Sequence, residues 1–309
     1  MPPILKQMML LCLIAVQPLL PAERHPAWLT SNGLEIHHHL FSLFVMPNQS
    51  IAVQARKQGG QDRFELSGLL PARQAASGEW ILQAPSIPGI YPCTVYRYPD
   101  ADSIRLQVFV LTPYHNTEEL EGYQIGRYPS GVMHTLTSHK PPSGFIKVTA
   151  ENENTLVSPH FRLKQFLCKQ EGDYPKFIIL QEKLLQKLEF VFENLAGNGI
   201  VCTTLTVMSG FRTPQYNRAL GNSAYSRHCW GGAADIFVDH DNDGMMDDLN
   251  QDGRCDEGDA KQLYDWIDAW SHEPVFATLL GGLARYRRTH SHGPFVHVDV
   301  RGHAVSWGD

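Results

Sequence analysis

Apolar and polar positions alternate over short stretches in the first part of the chain. Ile104, Leu106, Val108 and Val110 alternate with Arg105, Gln107 and Phe109, a near period of two that stops at Pro113. That pattern predicts a half-buried strand. Trp80-Ile81-Leu82 and residues 91–96 predict further strands, set apart by Pro85, Pro88 and Gly89. Residues 114–150 are rich in Gly, Pro, Ser and Tyr and read as a connection between domains. Beyond them the period lengthens. Leu184, Leu185, Leu188, Val191, Phe192 and Leu195 recur at helical spacing and predict a helix with one apolar stripe, ended by Gly197 and Gly199. Residues 203–208 read as a strand. Thr213-Pro214 reads as the N-cap and first turn of a short helix that Gly221 stops. A second amphipathic helix is predicted over 259–272, with Leu263, Trp266, Ile267 and Trp270 on one face, and strands over 283–286 and 295–300.

The expected fold is therefore a small all-β, immunoglobulin-like sandwich at 30–113 and a connection at 114–150. An α+β domain follows at 151–309, an antiparallel sheet with flanking helices. A length of 309 residues agrees with two domains. Apolar residues make up 43% of the chain and charged ones 19%, the balance of a globular protein. The charge is unevenly placed. Residues 239–259 hold nine acidic side chains against Arg254 alone, a net of −8 in a chain of net −6, so all the rest sums to +2. No basic stripe with interleaved aromatics occurs, and no nucleic-acid partner is expected. At the N-terminus, Lys6, the nine-residue apolar run 8–16 and Pro21-Ala22 predict an export signal over 1–22, although Leu20 is bulky for the −3 position. No later run is long enough to span a bilayer, so a periplasmic or secreted protein is expected. Five cysteines follow the signal, an odd number, with Cys168 and Cys202 the first candidates for a bridge. His37-His38-His39 is expected to decorate the surface, because adjacent strand residues alternate faces.

The chemistry concentrates in two motifs. Ser226-Arg227-His228-Cys229-Trp230-Gly231-Gly232-Ala233-Ala234-Asp235 reads S-x-H-x-x-G-x-A-x-D, an imidazole and a carboxylate seven residues apart around a narrow bend. His292-Gly293-Pro294-Phe295-Val296-His297-Val298-Asp299 carries two histidines five apart and an aspartate two beyond. Two histidines and one carboxylate, with a fourth position left to water, form the ligand set of a catalytic zinc site. In a strand, Phe295, His297 and Asp299 share one face.

Together with Ser209-Gly210-Phe211-Arg212, these motifs resemble the zinc D-Ala-D-Ala carboxypeptidase family, within the lysostaphin, D-Ala-D-Ala carboxypeptidase and hedgehog group of metallopeptidases. The resemblance covers roughly 155–309. It implies His228, Asp235 and His297 as zinc ligands, His292 as general base or transition-state stabiliser, and Arg212 near a substrate carboxylate or developing oxyanion. Other branches place a glutamate three residues, or a histidine two, before the last ligand; Pro294 and Phe295 stand there instead. Asp299 is expected to orient His297, and Ser226 to support the His228 loop.

The acidic segment has calcium-loop phasing. Asp239, Asp241, Asp243, Gly244, Met245, Asp247 and Asn250 fall at positions 1, 3, 5, 6, 7, 9 and 12 of such a loop. Asp248, Asn250, Asp252, Gly253, Arg254, Asp256 and Asp259 repeat the register. Neither has the usual glutamate at position 12, but a structural calcium ion is expected there. The expected activity is hydrolysis, by a zinc-activated water, of a peptide bond in bacterial peptidoglycan stem peptides, at D-alanine. Carboxypeptidase and endopeptidase action both remain open. The alternative is a noncatalytic zinc-containing module that binds cell wall or peptide.

Overall fold

The computed structural model describes residues 27–129 and 139–308; the segment 1–22, where an export signal is expected, lies outside them. Nine strands come first: β1 (Leu29–Ser31), β2 (Leu34–Ile36), β3 (Leu40–Val45), β4 (Ser50–Ala55), β5 (Arg63–Gly68), β6 (Ala72–Ala76), β7 (Glu79–Gln83), β8 (Gly89–Tyr98) and β9 (Asp102–Val110). Next are β10 (Thr112–Pro113), a hairpin of β11 (Glu119–Leu120) and β12 (Tyr123–Gln124), β13 (Gly144–Val148), a hairpin of β14 (Leu156–Ser158) and β15 (Phe161–Arg162), and β16 (Lys176–Ile178). The remainder holds α1 (Glu182–Gly197), β17 (Thr206–Ser209), α2 (Pro214–Ala219), β18 (Ala233–Phe237), α3 (Glu257–Ser271), β19 (Gly282–Tyr286), β20 (Phe295–Asp299) and β21 (Val305–Trp307).

The first nine strands make a five-stranded sheet, β2-β1-β4-β7-β6, and a four-stranded sheet, β3-β9-β8-β5. β4 alternates strictly, with Ile51, Val53 and Ala55 buried. β3 and the end of β9 are buried almost continuously. For β3 the added cover is α1 and the β14–β15 hairpin. The Ser42 hydroxyl donates to the Val157 carbonyl at 2.7 Å, and the Phe44 N–H to Glu182 Oε1 at 3.2 Å. This docking corrects the reading of the histidine run. His38 is buried, and its Nε2 lies 3.0 Å from Glu193 Oε1 on α1.

Residues 114–128 are packed, not an open span. Tyr114, Tyr123, Ile125 and Tyr128 are buried, and β10 and β13 join β16 in a three-stranded sheet. Cys168 and Cys202 are not bridged, and the five described cysteines are free thiols. The site-bearing sheet has the order β17-β18-β20-β19-β21, antiparallel except for the β19–β21 pair. Among the described residues no helix is long and apolar enough to cross a membrane.

Candidate metal centre

β18 and β20 pair antiparallel with Asp235 directly opposite His297. Neighbouring strands hold opposed residues close, so the register alone brings this carboxylate and this imidazole together. His228 arrives from a single 3₁₀ turn, Arg227–Trp230, closed by Gly231 at φ +64°. A Cβ at Gly231 would meet the Ile179 carbonyl oxygen at 2.2 Å, so both the left-handed backbone and the close approach require glycine.

The three donor atoms converge. His228 Nε2 lies 3.3 Å from His297 Nδ1 and 3.2 Å from Asp235 Oδ1, and His297 Nδ1 lies 2.8 Å from the same oxygen. All three residues are buried. Zinc bonds of about 2.0–2.2 Å in a tetrahedron set neighbouring donors roughly 3.3 Å apart, so this triangle fits the ion. The far ring nitrogens fit as well. His228 Nδ1 is 2.7 Å from the Gly210 carbonyl, and His297 Nε2 is 3.3 Å from Asp299 Oδ2. Each acceptor fixes a tautomer that turns a lone pair toward the centre.

The electrostatics agree with that geometry. Burial lowers the His228 pKa against the pull of Asp235, favouring a neutral ligand. Burial would raise the Asp235 carboxyl, but His228 and His297 hold it well below the usual carboxylate range. Burial would lower His297, yet its hydrogen bonds to Asp235 and Asp299 prevail and raise it. A cation would replace the proton at Nδ1, the exchange expected when a metal binds.

Asp299 is fully buried. It takes the Gly282 N–H at 2.7 Å and the Arg301 Nε at 2.9 and 3.0 Å, and its main-chain carbonyl accepts from Lys187 Nζ at 2.9 Å. Arg212 donates from Nη2 to Asp235 Oδ2 and from Nε to Ser209 Oγ at 2.8 Å. Ser226 carries the His228 turn through its carbonyl, which accepts the Cys229 N–H at 3.0 Å; its hydroxyl provides no cap. His292 stands on the wall of the same cleft, about 740 Å³ in volume, with its Nδ1 2.8 Å from the Gly293 carbonyl and its ring edge-on to Phe295. Among the described residues it makes no hydrogen bond to the three donors.

Sequence reasoning did not single out the Gly210 carbonyl, Lys187, Arg301, Trp307 or Tyr128. Trp307 lies against His297 with ring centroids 5.2 Å apart, and the Tyr128 hydroxyl donates to the Cys229 carbonyl at 2.7 Å. One signal was readable. The pair Gly281-Gly282 opens β19 because a Cβ on Gly282 would meet Asp299 Oδ2 at 2.4 Å and the Trp307 ring at 2.6 Å. A glycine in a strand often marks such a close approach.

The acidic loop brings part of its expected ligand set together. Asp239, Asp241 and Asp247 come together. Asp239 accepts the N–H groups of Asp243 and Gly244, Asp243 that of Met245, and Asp247 that of His240. In the second register Asp248 takes the Asp252 and Gly253 N–H groups, the Asn250 side chain takes Asp252 N–H, and Asp252 takes that of Arg254. Asp256 caps α3 instead of joining them. Asp259 is fully buried and accepts from Leu249, Asn250 and Asp256. Both serve the helix start in the second register, while in the first register Asp239, Asp241 and Asp247 lie close enough to share one cation.

Residues 143–269 match the family model Peptidase M15. This is a family of zinc peptidases, and the match supports a zinc-dependent metallopeptidase without selecting a member. It includes His228 and Asp235 and stops before His297, which β20 delivers to the same point. No curated protein matches. Among solved structures, the chain aligns in part with a nucleoside hydrolase-related hypothetical protein from Saccharophagus degradans, associated with carbohydrate metabolism. Identity is 13% and the TM-score 0.22, over 29% of this chain and 26% of that one. The chain thus spans about a quarter of that structure, a likeness too small to carry an argument.

Proposed function

We propose that the protein is an exported zinc peptidase that cuts a peptide bond in bacterial peptidoglycan, at D-alanine. The observation that carries the reading is the buried triangle of His228 Nε2, Asp235 Oδ1 and His297 Nδ1, each imidazole held by an acceptor on its far nitrogen. Zinc held there supplies a water of lowered pKa and polarises a carbonyl. The chain's own groups do the rest. His292 faces the cleft with Nδ1 engaged, which leaves Nε2 to move a proton. Arg212 balances the Asp235 charge and lines the cleft, where its guanidinium can meet a substrate carboxylate or developing oxyanion. Peptidoglycan as substrate rests on the resemblance of the two histidine motifs to D-Ala-D-Ala carboxypeptidases, and export on the apolar run at 8–16.

Mass spectrometry of muropeptides incubated with the zinc-loaded chain tests this. Loss of one alanine marks a carboxypeptidase and severed cross-links an endopeptidase. His292→Ala should slow either by roughly 10²–10⁴-fold. Equal turnover in both proteins would remove His292 from the chemistry. No product from either would leave a noncatalytic binding module.

A further inference from the structure

Tyr286 is an exposed aromatic residue on the wall of the metal cleft, and strand register sets its surroundings. Asp235 on β18, His297 on β20, Ala284 on β19 and Trp307 on β21 stand opposite one another in a single row. Tyr286 and Phe295 face each other one step along, two residues from Ala284 and His297, and so share their side of the sheet. Gly282 makes room for the Trp307 ring, which leans across Ala284 to lie against His297. The Arg301 guanidinium sits 4.9 Å from the centre of that ring.

Trp307 also reaches Tyr286, its Nε1 lying 2.9 Å from the phenolic oxygen. An indole N–H can only donate, so the Tyr286 oxygen accepts and keeps its own proton for another partner. Among the described residues it has none. Phe295 stacks on the Tyr286 ring, with centroids 4.6 Å apart and planes 12° apart. The phenol is thus held at its face and at its tip. A donor fixed in this way loses little freedom when a ligand takes it.

The place of this donor decides what it meets. The sheet order β17-β18-β20-β19-β21 puts Arg212, just past β17, and Tyr286, on β19, on opposite sides of Asp235 and His297. Arg212 reaches Asp235 on β18, and β19 lies two strands farther on, a span of roughly 10 Å. A stretch of about three extended residues covers it. We propose that the Tyr286 hydroxyl donates to a backbone carbonyl of the substrate upstream of the bond that is cut, so that the substrate reaches past a free dipeptide. This rests on the peptidase reading, in which Arg212 takes the carboxylate at the other end.

The test uses the zinc-loaded full chain, an acetylated tripeptide ending in D-Ala-D-Ala, and analogues in which an alkene replaces one upstream amide. Tyr286→Phe should lower kcat/KM on the parent peptide by about five- to tenfold, the scale of one neutral hydrogen bond. On one alkene analogue the same substitution should cost nothing further, because the contact is already gone. Zinc content should not change. Full activity in Tyr286→Phe, or additive losses with every analogue, would overturn the contact and leave the peptidase standing. Loss of zinc from Tyr286→Phe would make the residue structural and overturn the contact too. If no peptide is cut, calorimetric binding of the same peptides decides. Binding weakened in Tyr286→Phe for the parent peptide but not for one analogue upholds the contact although the peptidase reading fails. Equal binding, or none, overturns it.

Discussion

Asp299 shows how much one side chain carries at this site. It accepts from Gly282, Arg301 and His297 while fully buried, and those bonds outweigh the burial that would otherwise raise its pKa. Its link to His297 was legible, since residues two apart in a strand share a face. Its grip on Arg301 was not, because a residue just past the strand end has no fixed direction in sequence. The Gly210 carbonyl, which sets the His228 tautomer, was equally hidden; every residue has a carbonyl. Asp299→Asn keeps the shape and removes the charge that steadies the His297 ring. Zinc affinity should fall by roughly 10–100-fold, measured by competition with a chromophoric chelator. Unchanged affinity would reduce Asp299 to an anchor for Arg301 and β19.

Among the elements, periodic ones were readable and covered ones less so. The stripe from Leu184 to Leu195 marked α1 and predicted one buried face. In the structure α1 also buries Gln186, Lys187 and Glu189. Each has a partner, in the Glu35 carbonyl, the Asp299 carbonyl and His160 respectively. Gln186 and Glu189 meet β2 and the β14–β15 hairpin, and Lys187 meets the end of β20, cover that the helix's own pattern cannot reveal. Thr213 caps α2 as expected, accepting the Tyr216 N–H at 3.1 Å. The acidic loop gave the opposite lesson. Its repeating phasing is visible in the sequence, but the part that Asp256 and Asp259 play at the start of α3 is not, because helix capping uses the same residue types.

At the scale of the molecule, charged pairs help to seat the parts on one another. Glu189 is buried, with its Oε2 2.6 Å from His160 Nδ1 and His38 close by. Burial alone would raise its pKa, but the His160 hydrogen bond and the His38 charge hold it below the ordinary value. A carboxyl depressed in the folded state stabilises above its unfolded pKa, about 4.3, and that contribution is lost as pH falls through the folded value. The melting temperature should therefore drop in acid below about pH 4.3, and Glu189→Gln should show a shallower drop. Parallel acid profiles for the two proteins would assign the acid loss to other groups. The packing of residues 114–128 was missed for a related reason. Composition marked them as a connection, and Tyr128 reaches the Cys229 carbonyl only through long-range folding.

The chemistry proposed for this protein requires that His228, Asp235 and His297 hold one zinc ion. Calorimetric titration of zinc into chelator-stripped full-length protein tests it most directly. One tight site per chain is expected, lost in His297→Ala and in Asp235→Asn. No binding by the unaltered protein, or binding untouched by those substitutions, would contradict it.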